Sequence, residues 1–181
     1  MNHKKIRGKD KYVFKSYSAI YARAFKIEKP KLYAGLGSEN VAIEHMGSTA
    51  VPGLGGKNIL DIIVGLRKGK RQQAKMKIRE LGYDFISTAG SRNRLFFVKD
   101  EIYRGKNIRV HLHLVKFQGR EWRKNIVFRN YLIRHRDAVL EYARVKKIAA
   151  KEAKGSKEKY MKAKEKFIRR ITKKALESDY L

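Results

Sequence analysis

The chain has 181 residues, 43% of them hydrophobic, which suits one domain with a real core and is too short for two comfortable ones. It contains no cysteine, which excludes disulfides and thiolate zinc sites, and no run near the roughly 18 apolar residues that span a bilayer, so no membrane partner is expected. Forty-five Lys and Arg against seventeen Asp and Glu leave a net charge of +28; such a field either draws in polyanions such as RNA or serves solubility alone.

The first residues, MNHKKIRGKDKY, are charged with no apolar stretch behind them, so no leader peptide is expected and the cytoplasm is the default location. Residues 13–37 carry Tyr17, Ile20, Tyr21, Ala24, Phe25, Leu32 and Leu36 at helical spacing. A break or a new start is predicted at Pro30, and an end at Gly37. VAIEHM reads as a short strand and STAVPGLGGK as a loop or a single helical turn. NILDIIVGL is too apolar for a half-exposed strand and belongs inside a sheet. KGKRQQAKMKIRELGY reads as a helix closed by Gly82. RLFFVKD and NIRVHLHLVKF are two further strands, and from Gly119 onward the pattern is helical in three stretches. The order predicts an α+β fold with a small mixed sheet, no internal repeat and one domain over residues 1–181. Residues 1–118 form its sheet core with an N-terminal helix, and residues 119–181 its helical C-terminal part.

Three groups of residues carry chemistry. In EHMGSTAVPGLGGK, Gly47, Gly53, Gly55 and Gly56 let backbone N–H groups approach an anion, and Ser48 and Thr49 add hydroxyl donors. The GxxxxGK[ST] order of a Walker loop is absent, and a tight structural connection explains the stretch as well. Asp61 stands alone in an apolar strand, on the face shared by Ile59 and Ile63, where a carboxylate is costly unless paired or bound. It is either a structural partner for a cation or a functional acid. His111 and His113 share a strand face with Arg109, opposite Val110, Leu112 and Leu114. Beside Asp61 they would make a metal site or a phosphate-binding, proton-transferring one; alone they are a polar row on an exposed face.

Two lysines stand inside apolar helical stripes: Lys146 with Tyr142, Ala149 and Ala153, and Lys164 with Tyr160, Phe167 and Ile171. Each follows a tyrosine by four residues, and each either snorkels to solvent or reaches into a polar cleft. RNYLIRH, Arg129 to His135, has the Arg-to-His spacing of some helical ribonucleases. In so Arg-rich a chain that match is chance.

EHMGSTAVPGLGGKNILDIIV resembles the signature of the GrpB family, small proteins with the nucleotidyltransferase fold. The likeness runs on through RVHLHLV, FRNYLIRHRDAVLEYARVKK and YMKAKEKFI. It implies a mixed sheet with the Gly47–Ser48 pair beside nucleotide phosphates and Asp61 as the first acid of an Asp-x-Asp/Glu pair. Here the second position is Ile63, and the strand that supplies a third acid in related transferases reads His-Leu-His. On this resemblance Gly47, Ser48, Thr49 and Lys57 hold phosphates, while Arg94, Arg109, Lys146 and Lys164 neutralise them. Asp61, His111 and His113 are catalytic or hold a divalent metal, Mg or Mn, with an NTP as substrate and an unknown acceptor. The depleted acids leave a second reading open: a non-catalytic module for a nucleotide, a CoA-type phosphate or RNA. GrpB-like domains fused to dephospho-CoA kinases keep a CoA-related role in view.

Overall fold

The computed structural model describes residues 14–154, 156–178 and 180. The charged N-terminal run MNHKKIRGKDKY, with the leader-peptide expectation that rests on it, lies outside the described residues. In order come α1 (Ile20–Leu36), β1 (Val41–Met46), a 3-10 turn (Ser48–Ala50), β2 (Leu60–Leu66), α2 (Arg71–Glu80) and β3 (Asp84–Phe85). A second 3-10 turn (Ser87–Ala89) leads to β4 (Arg94–Tyr103) and β5 (Lys106–Lys116), and the chain ends in α3 (Arg120–Arg134), α4 (Arg136–Ala153) and α5 (Lys157–Glu177). The fold is α+β, with one mixed five-stranded sheet and a helical C-terminal part.

The sheet runs β1-β2-β5-β4-β3. β2 pairs antiparallel with β1 and parallel with β5, and the remaining pairings are antiparallel. β2 is therefore an inner strand, as its apolar run requires. The β4–β5 hairpin closes on Arg104 and Gly105, both at positive φ (49° and 73°), the backbone of a two-residue type I′ turn that matches strand twist.

One sheet face carries Val41, Ile43, Ile62, Val64, Leu112 and Leu114 and packs under α1 and α2. The other carries Ala42, Met46, Ile63 and Val115, covered by Trp122 and Ile126 of α3. A separate apolar cluster joins Val51 and Leu54 to α3, α4 and α5. The loop after β1 thus belongs to the helical part as much as to the sheet.

Two expectations for the first helix are corrected. It starts at Ile20 rather than near residue 13, because Lys15 instead makes a reciprocal backbone bridge with Gly56, N–H to carbonyl at 2.7 and 2.8 Å. Pro30 does not break it: α1 runs through to its cap at Gly37, whose N–H donates to the Tyr33 carbonyl. The proline removes one helical donor, whereas Tyr21, Ala24, Leu32 and Leu36, on both sides of it, stay buried on a single stripe. That stripe also holds Glu28, which accepts from the Tyr83 hydroxyl at 2.8 Å and pairs with Lys31 and Lys99 at 3.2 and 3.4 Å. A buried carboxylate needs such partners. Burial and the neighbouring Glu28 charge push the Tyr83 hydroxyl far above its ordinary pKa.

A candidate phosphate-binding site

Gly47 ends β1 at φ 72°, a conformation that side chains resist. A Cβ there would also overlap Oδ2 of Asp61. The Gly47–Ser48 turn therefore lies directly against the carboxylate, with Ala50 and Val51 N–H closing back on the Gly47 and Ser48 carbonyls. Thr49 is buried: its hydroxyl donates to the Ile59 carbonyl at 2.9 Å and lies 3.0 Å from His45 Nε2. It pins the turn to the start of β2.

The later glycines serve close approach by the chain itself. A Cβ on Gly55 would meet the Phe14 ring, and one on Gly56 would stand 2.5 Å from both Ser48 Oγ and Lys146 Nζ. Ser48 and Lys146 thus converge over Gly56, although nearly a hundred residues separate them. Lys146 also donates to the Gly55 carbonyl.

The strand register sets Asp61 opposite His111 and Ile63 opposite His113. Asp61 Oδ1 lies 3.4 Å from His111 Nδ1 and 3.9 Å from His113 Nε2. Burial opposes the ionisation of Asp61, but the two imidazoles more than offset it and hold its carboxyl well below the usual range. Burial lowers the His113 pKa against the pull of Asp61, so this ring favours its neutral form. Both rings pack edge-on against Phe96, at 4.9 and 5.1 Å.

Around this acid the helical part and the loop before β2 bring a wall of cations. Lys57, Lys146 and Lys164 line one cleft of about 200 Å³ with Gly47, Ser48, Asp61 and His111. Lys146 is 4% exposed and Lys164 9%. Their ammonium groups lie over the rings of Tyr142 and Tyr160 at 5.3 and 4.1 Å, and Lys57 Nζ lies 4.7 Å from the centre of the Tyr160 ring. Desolvation first, then repulsion from Lys164 and Lys57, brings Lys146 down to about 7; desolvation and then Lys57 bring Lys164 down to about 8, in both cases against the pull of Asp61. Of the two readings of these stripes, the polar cleft is the one the geometry shows.

Arg94 and Arg109 lie outside the cleft. Arg109 forms a two-pronged pair with Asp100 on β4, at 2.9 and 2.7 Å, and Arg94 donates to the Ala89 carbonyl at 3.4 Å. His113 stands behind Asp61 rather than in the lining. Sequence reasoning passed over Arg129, which does line the cleft. Its guanidinium donates to Glu44 Oε2 and the His45 carbonyl, each at 2.7 Å. The signal was present: Arg129 falls between Ile126 and Leu132 on the buried stripe of α3, as Lys146 and Lys164 do on theirs.

A resident divalent metal does not fit these residues. Ile63, the position of a second acid, is fully buried beneath Trp122 and Ile126, so a carboxylate there would be stranded in the core. Among the described residues no three His, Asp or Glu side chains are arranged to hold an ion. One carboxylate facing three lysines repels a bare dication more than it attracts one.

A Gly-Ser turn after the edge strand of a mixed sheet, facing one acid and lysines from the following loop, α4 and α5, defines an α+β protein with a cation-lined cleft. The chain belongs to the GrpB family, whose description, GrpB protein, matches residues 12–174. It is 32% identical over 153 residues to a UPF0157 protein of Pseudomonas aeruginosa, covering 84% of this chain and 62% of that one. It is 28% identical over 165 residues to the glutamate-rich protein GrpB of Alkalihalophilus pseudofirmus, covering 90% and 95%. The UPF0157 protein YqkA of Bacillus subtilis is 30% identical over 155 residues. The chain spans less than two thirds of the length of the Pseudomonas and Bacillus relatives. Among solved structures, the conserved protein GrpB from Enterococcus faecalis superposes with a TM-score of 0.78 at 29% identity, covering 93% of this chain and all of that one. Among the described residues no helix is long and apolar enough to cross a membrane.

Proposed function

We propose that the cleft binds the phosphates of a nucleotide or another phosphorylated small molecule. One observation carries this reading: Lys57, Lys146 and Lys164 converge with Ser48 on a cavity whose lining contains a single carboxylate, Asp61. Buried ammonium groups repelling one another are costly, and a polyanion relieves both costs at once. At about 200 Å³ the cavity is below the size that encloses a whole drug-sized ligand. It therefore takes the phosphate end and leaves the rest of the molecule towards solvent.

In this reading Asp61, held ionised by its two histidines, repels phosphate oxygens and directs them to the lysine wall. Ser48 Oγ donates beside Lys146. A divalent ion enters only as a counter-ion carried by the polyphosphate itself.

Titration calorimetry with ATP and with CoA, with and without Mg²⁺, tests this on the wild type and Asp61→Asn. Saturable binding without metal, tighter in Asp61→Asn, supports a binding cleft. Binding that needs the metal and vanishes in Asp61→Asn would overturn it in favour of metal-assisted nucleotidyl transfer. No binding of either ligand would remove the phosphate reading altogether.

A further inference from the structure

A larger cleft, of about 500 Å³, lies at the other end of the β2–β5 seam. Because these strands are parallel, their carboxyl ends, Leu66 and Lys116, fall side by side, the place where open sheets leave a ligand crevice. Leu66, Leu114 and Val115 line it where the two strands end. Arg67, Arg71, Lys116 and Arg120 stand around it, against one acid, Glu121. None of these residues belongs to the Ser48–Asp61 cleft.

Two helices begin at this opening. α2 has ten residues and α3 fifteen, and neither N-cap, Lys70 or Gly119, contributes a side-chain acceptor. Their leading N–H groups and positive dipole ends face the same crevice as the four cations. The cations are held in place: the Arg67 guanidinium lies 4.3 Å over the Phe117 ring, and Arg71 Nη1 donates to the Arg92 carbonyl. Arg71 Nη2 is buried and, among the described residues, has no hydrogen-bond partner. A buried guanidinium N–H without an acceptor is expensive, and a small shift of the half-buried Arg71 side chain towards an oxyanion in the crevice would supply one.

We infer that this crevice is a second, independent ligand site, which takes a phosphorylated small molecule. The phosphate sits between the starts of α2 and α3, and the less polar body lies against Leu66 at the end of β2. A concave cavity of this volume suits a molecule of nucleotide size. An extended RNA backbone would need a groove instead.

Amide-resolved NMR of the whole chain, titrated with inorganic phosphate and then with AMP, tests this. Saturable shifts are expected at Arg71 to Gln73 and at Arg120 to Trp122. They should weaken by about tenfold or more in Arg71→Gln/Arg120→Gln, while any shifts at Ser48 and Lys57 are unchanged. The same spectra report whether the double variant is folded; if it is not, Arg120→Gln alone, at an exposed position, must show the weakening. The exposed control Lys151→Gln should leave the shifts as in wild type. Shifts that do not saturate, or that persist in the variants, would overturn the site. A short single-stranded RNA that displaces phosphate from the same amides more tightly than AMP would overturn the small-molecule assignment.

Discussion

Lys146 Nζ donates to the carbonyl of Gly55, tying the middle of α4 to the loop that follows the Ser48 turn. The same ammonium is 4% exposed, so it is at once a structural tie and a buried charge. Lys146→Met keeps the stem and removes both. Losing the donor strands the Gly55 carbonyl, but losing the charge removes a desolvation cost of similar size. We expect stability within about 1 kcal/mol of wild type in urea melts, with ATP affinity down about tenfold or more in calorimetry. Full affinity in a folded Lys146→Met protein would place the phosphates elsewhere.

Stability should rise with pH between about 7 and 9.5. Lys146 and Lys164 have folded values of about 7 and 8, well below those of the unfolded chain. In that window the unfolded state binds more protons, so alkali favours the fold. The gain is up to about 1.4 kcal/mol per pH unit from each group as it enters its window. Urea midpoints at pH 6.5 and 9 should show it, and Lys146→Met should lose much of it. Phosphate affinity runs the opposite way, weakening as pH rises through 7 to 8 and the lysines lose their protons. A flat stability profile in wild type would contradict the buried lysines.

A second pH effect lies on the acid side. Burial brings His45 down to about 4, so it is neutral in the fold and charged in the unfolded chain between pH 4 and 6.5. Its contribution is fully present above 6.5 and is lost as pH falls through that window, by up to about 3 kcal/mol. The ring stacks on Phe25 at 5.0 Å, and a charged ring there has no route to water. His45→Gln should flatten the acid limb of a denaturation series; an unchanged limb would assign it to other groups.

Gly47 and Gly53 both have positive φ, at 72° and 78°, but only Gly47 has a neighbour where a side chain would go. Gly53→Ala is expected to cost about 1 kcal/mol, the backbone term alone. Gly47→Ala adds a collision with the Asp61 carboxylate and should cost about 3 kcal/mol or more, with ligand binding lost too. Equal thermal shifts in the two variants would refute the contact.

Periodicity made most of the fold legible. β2 and β5 stood out because two-sided burial and strict alternation leave few alternatives, and the three C-terminal helices because their apolar stripes are long. β3 was invisible: two residues carry no period, and Asp84 and Phe85 are a strand only because Val98 and Phe97 lie opposite. Pro30 misled because a proline's local cost was weighed without the burial that offsets it. At the site, Asp61, His111, Lys146 and Lys164 were readable as polar groups in apolar patterns. Thr49 was read as a hydroxyl donor to phosphate, and nothing local says that its hydroxyl donates to the Ile59 carbonyl. Arg109 sat on the right strand face, yet nothing local says that Asp100 lies opposite.

The strand order also dictates how the molecule assembles. β4 and β5 are joined by a two-residue turn and can zip as neighbours, whereas β5 meets β2 only after some forty residues have been looped out. Local pairings form early and distant ones late, because loop closure is an entropic toll. Asp61 and His111 face each other across that distant seam, so the cleft comes into being only when the two halves of the sheet join. If the cleft takes phosphate as proposed, nascent or half-folded chains are blind to it, and a phosphate bound across the seam acts as a clasp that slows its reopening.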